Sequence, residues 1–293
     1  MIEIVSMLSR RSLLATPLLA AQTRATRFQL AAMTLPWSAF SFERALEGIR
    51  SAGFSHVAWG VNHQSKPVLA VDGAPKTAEA LAANCRNQGL DPVMMFSTVN
   101  LEAPNAYDAH RRRIDQAAAA RIPYLLTFGK TVAGGRDTFI DNLAKLAPYA
   151  QQANVSVLIK QHGGNTATGQ QCARIVEQIA HPKIQICYDA GNVLDYENQD
   201  PIADIQTCWQ HIRAFNIKDH RNTPRDEDCG PGFGEIDHYK LLTPVLNTGL
   251  TIPLTFENVF EPLLPRPTDP SRIDQLALRA RQYIETVIRG LQS

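Results

Sequence analysis

One pattern recurs along this chain and limits what it can become: a short apolar run, a polar turn, then a helix-length amphipathic stretch, repeating roughly every 30 residues, the size of a βα unit. The apolar runs are Phe28–Thr34, His56–Val61, Pro92–Ser97, Tyr124–Gly129, Val155–His162, Ile184–Asp189, Arg213–Lys218 and Pro253–Glu257. Helical stretches follow at Ser41–Ala52, Lys76–Gln88, Ala106–Ala120, Asp137–Gln152, Gln170–Ala180, Ile202–His211, Ile236–Leu246 and Ile273–Leu291. Strands that alternate with helices pair in parallel, and eight such units predict one closed (β/α)8 TIM barrel over residues 27–293. A doubly wound open sheet is the rival. It would carry a glycine-rich dinucleotide fingerprint after the first strand, and Met33-Thr34-Leu35-Pro36-Trp37 is nothing like one.

Composition mainly excludes. Of 293 residues, 44% are hydrophobic and 19% charged, and the net charge of +1 offers no basic surface for nucleic acid. Five cysteines (Cys85, Cys172, Cys187, Cys208, Cys229) lack C-x-x-C spacing, so buried apolar thiols are expected rather than disulfides or a zinc knuckle. The run Arg111-Arg112-Arg113 falls mid-helix and is expected on a solvated face. No linker-like stretch divides the chain. The N-terminus reads as an export signal. Ser9-Arg10-Arg11-Ser12 precedes a short apolar stretch, Leu13 to Ala21, and then small residues. That order matches a twin-arginine secretory signal over residues 1–26, cleaved after Ala21 or Ala25, with Met7 as an alternative start. A periplasmic or secreted protein is expected. The apolar stretch is too short to span a bilayer, so no membrane span is expected.

In such barrels the active site lies at the C-terminal ends of the strands. The fifth strand ends Lys160-Gln161-His162-Gly163-Gly164-Asn165, and the sixth ends Tyr188-Asp189-Ala190-Gly191-Asn192. The seventh ends Asn216-Ile217-Lys218-Asp219-His220, and the eighth ends Phe256-Glu257-Asn258. Four consecutive strands thus bring acids, bases and amides to one face, which points to a site rather than a solvated rim. His162, two residues beyond Lys160, shares its face and suits proton transfer or hydroxyl binding. Lys218 suits an enolate oxygen or a salt bridge. His220, Arg221 and Asn192 are candidate substrate contacts. Trp59, at the end of the second strand, suits either stacking on a sugar face or the core. The longest stretch without periodicity, Asp219 to Glu235, is expected as a substrate-facing loop. Glu235 suits either the site or the start of the next helix, where the dipole favours an anion. The turns Gly163-Gly164-Asn165 and Gly134-Gly135 are not Walker A sequences, so phosphate binding is weakly supported.

The endings Tyr188-Asp189-Ala190-Gly191-Asn192, Ile217-Lys218-Asp219 and Phe256-Glu257-Asn258, with the loop Gly232-Phe233-Gly234-Glu235-Ile236-Asp237, resemble those of the xylose isomerase-like TIM-barrel family. The resemblance spans the mature chain and is more specific for fold than for substrate. It implies a sugar isomerase or epimerase, with dehydratases and endonuclease IV as other members. It also implies a divalent metal held by Glu, Asp, His and Glu from the fifth to eighth strands. Those positions here are Lys160, Asp189, Asn216 and Glu257, so lysine and asparagine replace two ligands. An ammonium cannot ligate a cation and Asn is a weak donor, so the cofactor expectation is either none or a divalent Mn, Zn or Mg held by Asp189, Glu257 and His162.

Charge counting offers an alternative. Glu, Asp, Glu and a divalent ion sum to −1, and so do Lys160, Asp189 and Glu257. The ammonium then takes the metal's electrostatic place and polarises a substrate oxygen. The expected activity is isomerisation or epimerisation of a free sugar, keto-sugar or glycoside by proton abstraction beside a carbonyl. Glu257 serves as base and Asp189 or His162 as the second acid/base group. Two alternatives stand beside it: a 3-keto-sugar lyase or hydratase, and a non-catalytic sugar-binding barrel. An endonuclease-IV-like role lacks both the ligand set and the basic surface.

Overall fold

The computed structural model describes residues 24–60 and 62–293. The twin-arginine stretch, the apolar run after it and the Ala21 cleavage point lie outside the described residues. Eight parallel strands, Arg27–Met33, His56–Trp59, Asp91–Phe96, Tyr124–Thr127, Ser156–Lys160, Ile184–Asp189, Ile212–Ile217 and Thr251–Phe256, form a closed barrel in sequence order. Closure is made by the first strand on the eighth, with Arg27 opposite Thr251 through to Ala32 opposite Phe256. The helices are α1 (Phe42–Ser51), α2 (Pro75–Asn87), α3 (Ala106–Ala119), α4 (Arg136–Gln152), α5 (Gly169–Ile179), α6 (Ala190–Glu197), α7 (Pro201–Ile205), α8 (His238–Leu242) and α9 (Pro270–Gln292). Side-chain caps start several of them: the side chain of Ser41 accepts from Arg44 N, that of Thr168 from Gln171 N and that of Asp269 from Ser271 N.

Side chains alternate along each strand, and the two faces carry different cores. Inside the barrel sit Ala31, Met33, Ala58, Met94, Leu126, Leu158, Cys187 and Ala214. Between sheet and helices lies the larger cluster, including Val57, Trp59, Leu125, Ile159, Tyr188, Phe215 and Phe256. This parity carries into the site. Leu158 inside is followed by Lys160 and His162, Cys187 by Asp189, and Ala214 by Asn216 and Lys218.

The structure departs from the sequence reading in several places. The helix expected over Ile202–His211 stops at Ile205, where the Thr207 hydroxyl takes the Asp204 carbonyl, and a 3-10 turn follows at Trp209–His211. The helix expected over Ile236–Leu246 is only α8 and a 3-10 turn at Thr243–Val245, since Pro244 has no N–H with which to continue it. Helix α6, directly after the sixth strand, is additional. The expected loop after the seventh strand contains a hairpin pairing Asp219–Arg221 with Glu227–Cys229. Arg113 is buried, donating to the Leu69 carbonyl and to Gln116 Oε1, both at 2.9 Å, so the arginine run is not wholly a solvated face. All five cysteines are buried and free. Among the described residues no helix is long and apolar enough to cross a membrane.

Candidate active site

The cluster at the C-terminal mouth is built around Lys160. Its Nζ lies 2.8 Å from Asp189 Oδ2 and donates to both oxygens of Glu257, at 3.2 and 3.1 Å. Lys160 is 3% exposed and Asp189 fully buried, whereas the Glu257 side chain is 16% exposed and forms the accessible edge. Asn216 Nδ2 donates to Glu257 Oε2 at 3.0 Å and, more weakly, to Asp189 Oδ2 at 3.4 Å. Burial alone would discharge Lys160, but Asp189 and Glu257 outweigh it and hold the amine well above its ordinary range. Burial likewise opposes ionisation of Asp189, yet Lys160 and then Lys218 bring its carboxyl down to about 2.

The sixth strand ends in a device that fixes this geometry. Asp189 caps α6, its Oδ1 accepting from Asn192 N at 3.0 Å, so the same carboxylate serves a helix N-terminus and an ammonium. Asn192 Nδ2 donates to the Gln161 carbonyl at 2.7 Å, and its Oδ1 accepts from Lys218 Nζ at 2.6 Å. Glycine at 191 lets the Lys218 side chain lie close against α6: a Cβ there would come within 2.4 Å of Lys218 Cε and push the lysine aside. Lys218 also donates to Asp228 Oδ2 at 2.6 Å, one of the two roles expected for it; burial lowers its pKa, but Asp189, Glu257 and Asp228 outweigh burial and raise it.

His162 stands beside this cluster, stacked on Phe128 with ring centroids 4.3 Å apart and met edge-on by Tyr196 at 5.6 Å. Its Nδ1 is 3.3 Å from the Gly129 carbonyl, which can only accept, so the proton belongs on Nδ1 and Nε2 keeps its lone pair. Burial and the Lys160 charge lower its pKa, keeping the ring neutral.

The other sequence candidates organise loops. His220 is buried, with Nδ1 3.1 Å from Asp228 Oδ1 and Nε2 3.3 Å from both Asn222 and Asp226. Arg221 donates twice to the Thr223 carbonyl. Glu235 precedes α8 and takes its Oε1 to Asn222 N at 2.9 Å, pinning the hairpin rather than capping the helix, whose cap is Asp237. Asp219 accepts from Gly232 N and Ile236 N at 3.0 Å each, and a Cβ on Gly234 would meet its carboxylate at 2.3 Å. The Lys-Asp and Gly-x-Gly-Glu motifs are therefore one interlocked turn. Trp59 is not brought to the site. It faces outward, 2% exposed, edge-on to Phe42 at 6.3 Å. Phe128, Tyr196, Gln161 and Asp228 belong to the site region and were not singled out from sequence. Only Phe128 had a signal there, two residues past inward-facing Leu126.

The arrangement does not fit a divalent ion between the strand-end carboxylates. An ammonium fills that position, and the one ligating atom of Asn216, Oδ1, faces the Thr255 hydroxyl at 2.9 Å and the Cys187 thiol instead. The alternative ligand set of Asp189, Glu257 and His162 does not bring its atoms together. Among the described residues, the set that converges within 4.8 Å is Asp195, His220 and Asp226, at the hairpin. A cavity of about 520 Å³ opens at the opposite mouth, lined by Arg27, Phe54, His56 and Arg281, and contains none of these groups.

Residues 46–279 match the xylose isomerase-like TIM barrel family, and the chain belongs to that family. It is 24% identical over 264 residues to a 3-dehydroshikimate dehydratase of Pseudomonas putida, covering 83% of this chain and only 40% of that protein. The fold is shared with an L-ribulose 3-epimerase (TM-score 0.71, 17% identity, 90% of this chain and 95% of the other). It is shared too with a xylose isomerase-like protein from Mycobacterium smegmatis in complex with magnesium (TM-score 0.69, 14% identity, 90% and 98%).

Proposed function

We propose that this protein is an isomerase or epimerase of a sugar, keto-sugar or glycoside, acting by proton abstraction beside a carbonyl. The observation that carries this reading is the pairing of an accessible carboxylate, Glu257, and a neutral imidazole, His162, around the fixed ammonium of Lys160. Proton removal from the carbon next to a carbonyl needs a base and a positive group at the developing enolate oxygen. Glu257 takes the proton, and His162 Nε2 is placed to carry a proton to or from a neighbouring carbon or oxygen. Lys160 donates to the oxygen on which charge develops. Asp189, buried and fully hydrogen-bonded, positions Lys160 and the start of α6 rather than moving protons itself. Export by the N-terminal twin-arginine segment is part of the proposal and rests on sequence alone.

The lyase reading shares the first step, and the dehydratase relative supports it: an enolate beside a leaving hydroxyl expels water instead of being reprotonated. Incubation with a panel of keto-sugars and cyclic hydroxy-ketones in D2O separates the two. Deuterium entering recovered substrate or its epimer marks an epimerase. An unsaturated product absorbing in the near ultraviolet marks a lyase. No exchange and no elimination with any carbonyl compound that binds would sink both and leave a binding protein.

A further inference from the structure

We infer that Lys160 is the electrophile of this site in its own right: its ammonium occupies the point where a divalent cation would bridge the strand-end carboxylates, and the centre works without a metal. The chemistry assigned to Lys160 rests on the proton-transfer reading above, but its position and its exclusion of a cation do not.

Four observations converge. Nζ is within hydrogen-bond distance of three carboxylate oxygens from two strands, Asp189 Oδ2 and both oxygens of Glu257, which is where an ion shared by those residues would lie. Lys160 is buried, so its charge is desolvated and cannot leave without stranding two carboxylates. Asn216 turns its amide nitrogen, not its oxygen, toward the same carboxylates, supplying donors where a ligand would supply a lone pair. Lys218, the next charge along, is committed to Asn192 and Asp228 and adds positive potential from behind. A divalent ion entering this cluster would face two cations and a turned amide.

The exchange has a consequence for substrate. A divalent ion keeps several open coordination positions and grips two adjacent oxygens, whereas an ammonium has three N–H bonds. One goes to Asp189 and one is shared between the two oxygens of Glu257, leaving one for the substrate. The site therefore polarises a single oxygen, the carbonyl, and does not chelate a hydroxy-ketone. Vicinal hydroxyls contribute to binding through other groups or not at all.

The test begins with the unaltered site, read without activity. In an Asp195→Asn background, which breaks the Asp195, His220 and Asp226 cluster, the protein is dialysed against Mn, Zn and Mg without chelator, and its metal content and melting temperature are measured. The expected result is well below one equivalent, and a melting temperature unmoved by EDTA. About one equivalent retained by this protein and lost on Asp189→Asn would overturn the inference. The converse variant, Lys160→Glu with Asn216→His, is expected to gain about one tightly bound Mn or Zn. If it folds by circular dichroism and binds none, Nζ does not mark an ion's position and the inference fails. Should that variant not fold, the metal content of the unaltered site decides alone. An absence of catalysis with every carbonyl compound would remove the proposed function and leave these metal measurements standing.

Discussion

Glu257→Gln keeps the side chain's shape and removes its basicity, so turnover should fall by roughly 10²–10⁴-fold with substrate binding retained. Turnover within a few-fold of the parent would take Glu257 out of the base role and leave His162 to carry it. His162 makes a separate prediction through its sign. Burial first, then Lys160, lowers its pKa below 6.5, so the neutral form persists into mild acid. The acid limb of kcat/KM that His162→Gln removes should therefore have its midpoint below pH 6.5. A midpoint above that value would mean the imidazole is stabilised as a cation. At this scale the sequence reveals identity better than role. Lys160, Asp189, Asn216 and Glu257 are legible because they end consecutive strands at inward positions. Trp59 is misleading for the same reason read carelessly: Ala58 is the inward residue, and a tryptophan beside it must face the helices. Asp228 was not legible at all, since its partners, Lys218 and His220, meet it only when the 219–229 segment folds back on itself.

The hairpin at 219–229 is held to the site by ionic contacts from inside. His220 faces Asp228 and Asp226 from its own hairpin, Asp195 from α6 and, through Asp228, Lys218. Burial works against its protonation, but Asp228 and Asp195 outweigh it and raise the pKa. A raised pKa in the folded state stabilises below the free imidazole's range and is lost as pH rises through the folded value. Amide exchange at His220 and Arg221, corrected for intrinsic rate, should therefore speed up between pH 6 and the alkaline side of the His220 titration. Asp228→Asn should make it fast throughout. Equal protection at both pH values would show the latch to be insensitive to the imidazole. The eight strands and most helices were legible because a repeated pattern states itself many times. This hairpin and α6 were not, because each occurs once and is set by tertiary partners: Asp189 caps α6 after serving the sixth strand, and Glu235 fixes a turn thirteen residues upstream.

At the scale of the whole molecule, the proposed export signal can be tested apart from the family barrel. Fusing residues 1–27 to a reporter should carry it out of the cytoplasm, and Arg10→Lys with Arg11→Lys should stop it. Retention with both arginines intact would end the export proposal. Thr26 is already part of the barrel, its N–H donating to the Leu246 carbonyl at 2.7 Å, so cleavage after Ala25 leaves the domain whole. Closure of the first strand on the eighth reaches further than shape. The ladder from Arg27 to Ala32 finds its partner only at Thr251 to Phe256, more than two hundred residues later in synthesis. Until the eighth strand emerges from the ribosome, the first has an open edge and the C-terminal mouth lacks Glu257, so a partial chain is unshielded and its site unassembled. Nascent chains halted before residue 251 should remain protease-sensitive, while those long enough to expose α9 become resistant in one step. For this barrel, the arrival of the eighth strand closes the sheet and completes the cluster around Lys160 in a single event.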